Sequence, residues 1–317
     1  MTLQQEDLSK SFAAPGKIVV STDLSDTEYL IPQAIAQAKA SGASLIFVHA
    51  VLPHESVPME SGAIPYYDPL RLDRDARLML ENVAREVRGQ GVECTTAVRH
   101  GFVPDVVAEV VNNTAAGRLI IGTHGRRGLK RFVLGSVARQ LLESVDVPVC
   151  TVGPRAHKGA PAAPGTILHP VSLAGMHETS ANLSFSLGEQ FGAEVVLLHV
   201  IVPTPNVTRD PAKAVAAATE QLQALIPAGA EARTQVQARI ALGSVVSEIL
   251  NVAEESRAAL IVLGVHAPAH SWLPGTEPAA YKILVSASCP VISLRVSPGV
   301  GAAGAEHKEE TSPAVIG

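Results

Sequence analysis

The residues from Leu119 to Ser136 read LIIGTHGRRGLKRFVLGS and decide how the chain is organised. The apolar run Leu119–Ile121 ends at a glycine, which predicts a short buried strand that leads into a loop. Gly122 and Gly125 are three positions apart, and the pair Gly135-Ser136 follows after nine intervening residues. Apolar side chains at helical spacing come next, so a helix is expected to begin at this pair. Glycines at a strand end and a helix start allow phosphate oxygens to approach closely, because glycine has no Cβ.

Basic side chains lie between the second and third of these glycines: Arg126, Arg127, Lys130 and Arg131. Most of this loop is expected to be solvated, with one cation, Arg126, reaching an anionic ligand. The glycine spacing fits neither a Walker A loop nor a G-x-G-x-x-G motif. It resembles the ATP-binding signature of the universal stress protein family, G-x2-G-x9-G-(S/T), and matches that signature at every fixed position.

The composition is that of a two-domain protein rather than a nucleic-acid-binding or membrane-spanning one. The chain has 317 residues, and domains average about 150 residues, so two domains are expected. Its net charge of −5 argues against nucleic acid as a partner. No apolar run is long enough to span a membrane, and the polar N-terminus lacks the plan of a signal peptide, so a cytoplasmic location is expected. Cys94, Cys150 and Cys289 form no CxxC pair and are expected to be buried thiols.

Strand-like and helix-like segments alternate along the first half of the chain, which is typical of an α/β domain with a parallel sheet. The predicted strands are Lys17–Thr22, Ser44–Val51, Val92–Val98, Arg118–Gly122 and Val147–Val152. The predicted helices run from Ser25 to Ala40, from Leu70 to Gly89, from Pro104 to Ala115, and onward from Ser136. Ser25 and Glu28 form a capping-box pattern, and Pro32 predicts a kink or a late start of the first helix.

The same plan is repeated in the second half of the chain. VHAVLP, which ends at Pro53, corresponds to LHVIVP, which ends at Pro203, and such a repeat indicates two copies of one fold. We predict domains at residues 15–153 and 166–296, each a doubly wound five-stranded parallel sheet with helices on both faces and the strand order 3-2-1-4-5. A linker at 154–165 joins them. The tail 297–317 and the segment before Pro15 are expected to be disordered.

Ligands of doubly wound sheets bind at the carboxyl ends of the strands. At that edge the first half gathers Ser21, Thr22 and Asp23 after its first strand, and Ala50 near the end of its second. The family resemblance implies that Asp23 lies near the ribose and phosphates, and that the backbone around Ala50 meets the adenine. It further implies a nucleotide site completed by Ile121, Gly122, Gly125, Gly135, Ser136 and Val137. The alternative for Asp23 is a cap on the first helix.

The second half keeps the apolar strands but loses most of the predicted ligand positions. In a constant-length alignment, Gly125, Gly135 and Ser136 are replaced by Ala267, Glu277 and Pro278, and Asp23 is replaced by Ser172. A glutamate would repel phosphate, and a proline has no backbone donor. We therefore predict that the second half does not hold ATP. The alternative is a pocket rebuilt for another ligand around His266, His270 and Trp272.

The resemblance implies an ATP-binding protein of stress adaptation, in which nucleotide occupancy acts as a signal or conformational switch and Mg²⁺ or Mn²⁺ bridges the phosphates. No nucleophile, general base or carboxylate cluster accompanies the glycines, so no catalytic or metal-ligating residue is predicted. His124 is interpreted as a loop residue, and His49 and His199 as structural. Two alternatives stay open: a slow ATPase or phosphotransferase, and a nucleotide-free protein-interaction module.

The last strand of each half is short and apolar, and an open sheet edge of this kind tends to associate. In the family the equivalent strands pair antiparallel across a dimer. We therefore predict that Val147–Val152 and Val291–Val296 pair within one chain, which makes the two domains a pseudo-dimer. A homodimer of chains and an unidentified protein partner are further hypotheses.

Overall fold

The computed structural model describes residues 11–52, 69–123, 134–156, 165–173, 178–230, 233–266 and 278–296. Its strands are β1 (Lys17–Ser21), β2 (Ser44–Val51), β3 (Cys94–His100), β4 (Arg118–Gly122), β5 (Val149–Val152), β6 (Thr166–Pro170), β7 (Glu194–Ile201), β8 (Val236–Leu242), β9 (Ala258–His266) and β10 (Val291–Val296). Its helices are α1 (Thr27–Ser41), α2 (Pro69–Gly89), α3 (Val103–Thr114), α4 (Ser136–Ser144), α5 (Glu178–Phe191), α6 (Pro205–Arg209), α7 (Pro211–Gln223), α8 (Val245–Glu255) and α9 (Ala279–Ser286). No helix of these ranges is long and apolar enough to cross a membrane.

All these strands belong to one sheet, in the order β3-β2-β1-β4-β5-β10-β9-β6-β7-β8. Within each half the strands are parallel and follow the predicted order 3-2-1-4-5, counted from that half's own first strand. The predicted fold class is confirmed. The sheet is larger than the five strands predicted for one domain, because the two halves share it.

The two halves meet where β5 pairs antiparallel with β10. The opposing residues are Val149 with Ser293, Cys150 with Ile292, and Thr151 with Val291. This pairing confirms the predicted pseudo-dimer within one chain. It also places backbone donors and acceptors of each strand edge opposite those of the other, which removes the association hazard of an open edge.

Helices cover both faces of the sheet and form two hydrophobic cores. On one face, α1, α2 and α5 pack over a cluster that includes Phe47, Leu80 and Leu183. On the other face, α3, α4, α8 and α9 pack over a cluster that includes Leu119 and Leu141. Because the central strands are buried on both faces, they appear in the sequence as nearly continuous apolar runs.

The first helix starts later than predicted and has a different cap. α1 begins at Thr27 with Asp26 as its N-cap, so the capping box predicted for Ser25 and Glu28 is wrong. The amide and the hydroxyl of Ser25 instead donate to Oδ1 of Asp23, at 2.9 and 2.6 Å. These bonds hold Ser25 in a turn that comes before the helix.

Two strands of the first half begin two residues later than predicted, β3 at Cys94 instead of Val92 and β5 at Val149 instead of Val147. The amide of Val92 donates to the carbonyl of Val87 at 3.4 Å, so this residue still belongs to the turn that closes α2. β5 starts after Pro148, which has no amide to contribute to a strand ladder.

Residues just before Pro15 are ordered, contrary to the prediction. Residues 11–13 form a helical turn, and Ala13 is buried. The guanidinium of Arg118, fully buried, donates to the carbonyls of Phe12 and Ala13 at 2.6 and 3.0 Å and to Oε1 of Gln37 at 3.0 Å. Burial lowers the pKa of Arg118 to about 10, and its side chain fastens this turn to the first half.

Polar side chains join α4 of the first half to the second half. The hydroxyl of Tyr281, on α9, donates to Oε1 of Glu143 at 2.9 Å. The guanidinium of Arg139 lies over the same ring, 4.9 Å from its centroid. Arg295, on β10, donates to the carbonyl of Glu143 at 2.5 Å and pairs with the carboxylate of Asp146. α4 therefore contacts the second half through Arg139 and Glu143.

Candidate functional site

The carboxyl ends of β1, β2 and β4 meet at one edge of the sheet. Ser21, the last residue of β1, lies between Val48 of β2 and Ile121 of β4. The amide of Thr22 donates to the carbonyl of Val48 at 3.1 Å, and Gly122 ends β4. The structure thus brings together the predicted site residues that follow β1 and those that end β4.

Asp23 lies in the turn after β1 and does not cap a helix. Its Oδ1 accepts hydrogen bonds from both the amide and the hydroxyl of Ser25, which is the pattern of an Asx turn. Leu24, within the turn, has a φ of 68°, which is an uncommon conformation for a residue with a branched side chain. Because the N-cap of α1 is Asp26, the alternative role of Asp23 as a helix cap is wrong.

Asp26 is a part of this edge that the sequence analysis missed. It is 3% exposed, and its Oδ1 accepts a hydrogen bond from the hydroxyl of Thr22. A Cβ added to Gly122 would lie only 2.6 Å from Oδ2 of the same carboxylate. The sequence offers no signal for this contact, because an aspartate just before a helix predicts a cap.

Tyr29, on the first turn of α1, lies close to both carboxylates. Burial, reinforced by the negative charges of Asp26 and then Asp23, raises the pKa of Tyr29 above its ordinary value. The phenol is therefore neutral at physiological pH and adds no charge to this edge.

The start of α4 lies beside the end of β4. The amide of Thr123 donates to the carbonyl of Val152, and the amide of Gly135 donates to the carbonyl of Thr123, both at 3.1 Å. α4 then begins at Ser136, with Gly135 as its N-cap at φ −57° and ψ 146°. The first amides of a helix, here those of Ser136 and Val137, have no acceptor within the helix. They and the helix dipole make such a terminus attractive to anions.

Ala50 lies near the end of β2, half-buried and opposite Arg99 of β3. The neighbouring His49 has a structural role, as predicted. Its Nδ1 is hydrogen-bonded to the carbonyl of Thr22 at 2.9 Å. In the second half, Nδ1 of His199 is bonded in the same way to the carbonyl of Val171, at 2.8 Å.

Two predicted site residues, Gly125 and Arg126, lie outside the described residues. The same is true of the other loop residues singled out in the sequence: His124, Arg127, Lys130 and Arg131. The other predicted positions are placed along one sheet edge and the adjoining helix start. Their contacts with a ligand stay predictions.

The second half has a different helix start at the equivalent edge. Pro278 is the N-cap of α9, at φ −54° and ψ 142°, nearly the backbone conformation of Gly135. Pro278 therefore corresponds to Gly135 when the two helices are aligned at their first residues. The constant-length sequence alignment pairs Pro278 with Ser136, so the two alignments differ by one residue. Ser172 is exposed after β6, where Asp23 follows β1. Ala267, His270, Trp272 and Glu277 lie outside the described residues.

A groove of about 790 Å³ lies at the opposite, amino-terminal ends of β1, β2 and β3. Lys17, Arg88 and Glu93 contribute its charged side chains. Arg88 is already bonded to the carbonyl of Cys94 at 3.2 Å and paired with Glu81. This groove is separate from the carboxyl edge that carries the predicted nucleotide residues.

Metal-binding clusters of three or more His, Cys, Asp or Glu side chains are absent from the described part of the chain. At the carboxyl edge of the first half, the carboxylates of Asp23 and Asp26 differ in their exposure to solvent. Asp26 is buried against Thr22, whereas Asp23 is half-buried. Asp23 is therefore the better placed of the two to meet a cation that a ligand brings with it.

Comparison with known proteins identifies the family. The model of the universal stress protein family matches residues 15–153 and 167–295. A universal stress protein from Methanocaldococcus jannaschii is 31% identical over 139 residues, which are 43% of this chain and 81% of that protein.

Two solved structures are similar in fold over most of the length of the chain. The crystal structure of a universal stress protein from Archaeoglobus fulgidus has a TM-score of 0.66 at 16% identity, covering 88% of this chain and 98% of that chain. That of a putative universal stress protein from Pseudomonas aeruginosa has a TM-score of 0.58 at 17% identity, covering 90% and 95%. At these identities the likeness shows the fold alone. The two matches to the family model establish that the chain belongs to the universal stress protein family and carries two copies of its domain.

Proposed function

We propose that the first half binds one molecule of ATP at the carboxyl edge of its sheet, and that occupancy of this site is a signal or conformational switch in stress adaptation. The phosphates lie at the start of α4, next to the amides of Ser136 and Val137. The ribose lies near Asp23, and the adenine near the backbone of Ala50. The sequence pattern assigns Gly125 and Arg126 to the phosphate side of the proposed site.

The observation that carries this proposal is the position of Gly135. Its amide is bonded to Thr123, directly after β4, and it is also the N-cap of α4. The helix start therefore lies at the same edge as Thr22, Asp23 and Gly122. Hydrogen bonds from amides to a charged phosphate contribute about 1.5–3 kcal/mol each, so this helix start can supply much of the binding energy.

A divalent cation fits the same arrangement. Mg²⁺ is usually held by one or two carboxylates together with phosphate oxygens and water. Asp23 supplies such a carboxylate at the edge, while the Asp26 carboxylate is already bonded to Thr22. The cation would neutralise phosphate charge beside these acidic residues.

The second half is proposed to be a scaffold without ATP. Pro278 replaces Gly135 at the helix N-cap and has no amide, so it cannot make the bond that ties Gly135 to the carbonyl of Thr123. Ser172 lacks the carboxylate of Asp23. The apolar strands and helices around these positions remain packed in the shared cores. The losses thus fall on predicted ligand positions rather than on the fold.

A switch role is supported by the contacts of α4. The helix whose start holds the phosphates also contacts Tyr281 through Arg139 and Glu143. A small movement of α4 on binding would therefore change the contact between the two halves. The nucleotide-bound and nucleotide-free forms would then differ in the surface that they offer to a protein partner.

Titration calorimetry with ATP and Mg²⁺ tests the assignment. Gly135→Glu puts a carboxylate at the helix start, and we expect ATP affinity to fall at least about tenfold because like charges repel in a partly dry site. Ser172→Ala, at the corresponding edge of the second half, is the matched control and should leave affinity unchanged. Equal affinity in wild type and Gly135→Glu, or no binding by the wild type, would refute the assignment.

Two measurements on the same protein, ATP turnover and nucleotide content, test the alternatives of a slow ATPase or phosphotransferase and a nucleotide-free interaction module. A slow ATPase or phosphotransferase would turn ATP over above background, and Asp23→Asn would abolish that turnover. A pure interaction module would contain no nucleotide when freshly purified and would not acquire one.

A further inference from the structure

Position 122 requires a glycine because a side chain would not fit there, and not because the backbone has a positive φ angle. Positive φ angles occur at other glycines of the described ranges, such as Gly42 and Gly101, but not at Gly122. A Cβ at this position would lie 2.6 Å from Oδ2 of Asp26, closer than Cβ atoms approach other atoms in proteins. The atom that demands a glycine is therefore on the protein itself.

Asp26 cannot move aside without breaking another contact. Its Oδ1 accepts a hydrogen bond from the hydroxyl of Thr22, and that hydroxyl oxygen in turn accepts one from the amide of Leu24 at 2.9 Å. The residue is 3% exposed. Turning the carboxylate away from Gly122 would break the bond to Thr22 and leave a buried polar group without its partner.

Asp26 does not make the hydrogen bond that its position at the N-cap of α1 would allow. An aspartate at an N-cap normally accepts a hydrogen bond from an amide of the first helical turn, which stabilises the helix. Here the side chain makes no such bond to α1. One oxygen accepts from Thr22, which follows β1, and the other lies against Gly122, which ends β4.

We propose that Asp26 is a positioning residue of the nucleotide site, which holds the ends of β1 and β4 in a fixed relation by bonding Thr22 and packing against Gly122. This contact, rather than the approach of a ligand, explains the first glycine of the G-x2-G-x9-G-S pattern. The effect on binding rests on the proposed function, whereas the contact itself exists without nucleotide and can be tested without it.

A mutant cycle in the full chain tests the contact, with thermal unfolding in the absence of nucleotide and ATP affinity as its two measurements. Gly122→Ala should lower the Tm by about 4 °C or more and weaken ATP binding about tenfold. In the Asp26→Ala background the same Gly122→Ala change should cost little in either measurement, because the clashing oxygen is gone.

Asp26→Asn is the conservative control. It keeps the shape of the side chain and an oxygen that accepts from Thr22, so ATP affinity should stay within about twofold of wild type, while Asp26→Ala should lose about threefold to tenfold. A purely structural role would change the Tm in Asp26→Ala and leave the affinity of the folded protein unchanged.

Two further results would overturn the inference. One is an equal loss on Gly122→Ala with and without the Asp26 carboxylate, which would assign the glycine to the ligand alone. The other is an affinity loss in Asp26→Asn as large as that in Asp26→Ala, which would make the charge itself the functional feature. If the wild type binds no ATP, the proposed function and the role in binding both fail, and the thermal cycle still decides whether Asp26 imposes the glycine.

Discussion

Cys150 and Ile292 lie directly opposite each other in the antiparallel pair of β5 and β10, and they occupy the same position in the two repeats. On their other sides, Cys150 pairs with Ile120 of β4 and Ile292 pairs with Val262 of β9. A pseudo-twofold axis therefore passes between them. The single chain reproduces the self-complementary interface of a symmetric dimer.

A cross-strand disulfide tests this register. Directly opposed residues of an antiparallel pair have Cα atoms about 4.5–5.5 Å apart, within the range of about 4.4–6.8 Å that a disulfide needs. Ile292→Cys should therefore form a bond to Cys150 when the chain is refolded under oxidising conditions, detected as a linked peptide by mass spectrometry. Ser293→Cys, which lies opposite Val149, is the control and should not link to Cys150. A link in the control but not in Ile292→Cys would contradict the register.

The contact between α4 and α9 should contribute measurable stability. Tyr281→Phe removes the hydrogen bond to Glu143 and keeps the ring under Arg139, so the free energy of unfolding should fall by about 0.5–1.5 kcal/mol. Tyr281→Ala also removes a buried ring, 4% exposed, and should cost about 3–5 kcal/mol. Urea unfolding of the two variants checks these values. A Tyr281→Ala protein as stable as wild type would show that α9 does not support the first half.

Most of the fold was predictable because it follows from local patterns. Apolar runs such as Ser44–Val51 predicted the strands, and the repeat of VHAVLP as LHVIVP predicted the second domain. The predicted strand starts were less accurate where the turn before a strand also contains buried residues. Val92 is buried like a strand residue, yet its amide belongs to the turn after α2.

The glycines and strand ends of the site could be predicted from the sequence. The buried side chains that contact them could not. The position of Gly135 at a helix start follows from the sequence pattern. The burial of Asp26 against Gly122 depends on how β1 and β4 lie side by side, and residues so far apart in sequence give no joint signal. The Arg118 side chain that fastens Phe12 and Ala13 was missed for the same reason.

The amide of Ser136 should matter for ATP binding more than its side chain does. Proline is tolerated at the first position of a helix, and the φ of −57° and ψ of 146° at Gly135 suit a residue that precedes proline. Ser136→Pro should therefore leave the Tm nearly unchanged while ATP affinity falls about tenfold, as expected for one lost charge-assisted bond. Ser136→Ala keeps the amide and should bind more tightly than Ser136→Pro in calorimetry. The reverse order would place the phosphates away from this amide.

The three thiols should be nearly inert in the native protein. Burial raises the pKa of Cys94, that of Cys150 to about 11 and that of Cys289 to about 12. Because each folded pKa is above the ordinary thiol value of 9.0, the reactive thiolate is scarcer in the native state than in the unfolded state throughout the neutral range. Ellman's reagent at pH 8 should label the native chain slowly and all three thiols in urea. Rapid labelling of the native chain would contradict the buried placement.

The number of ATP molecules bound per chain at saturation tests the central claim most directly. Native mass spectrometry of the full-length protein with ATP and Mg²⁺ should show one ATP per chain at saturation, and at an ATP concentration near the wild-type Kd the occupancy of Gly135→Glu should be much lower than that of the wild type. Two ATP molecules per chain at saturation, or equal occupancy of wild type and Gly135→Glu at the lower concentration, would contradict a site confined to the first half.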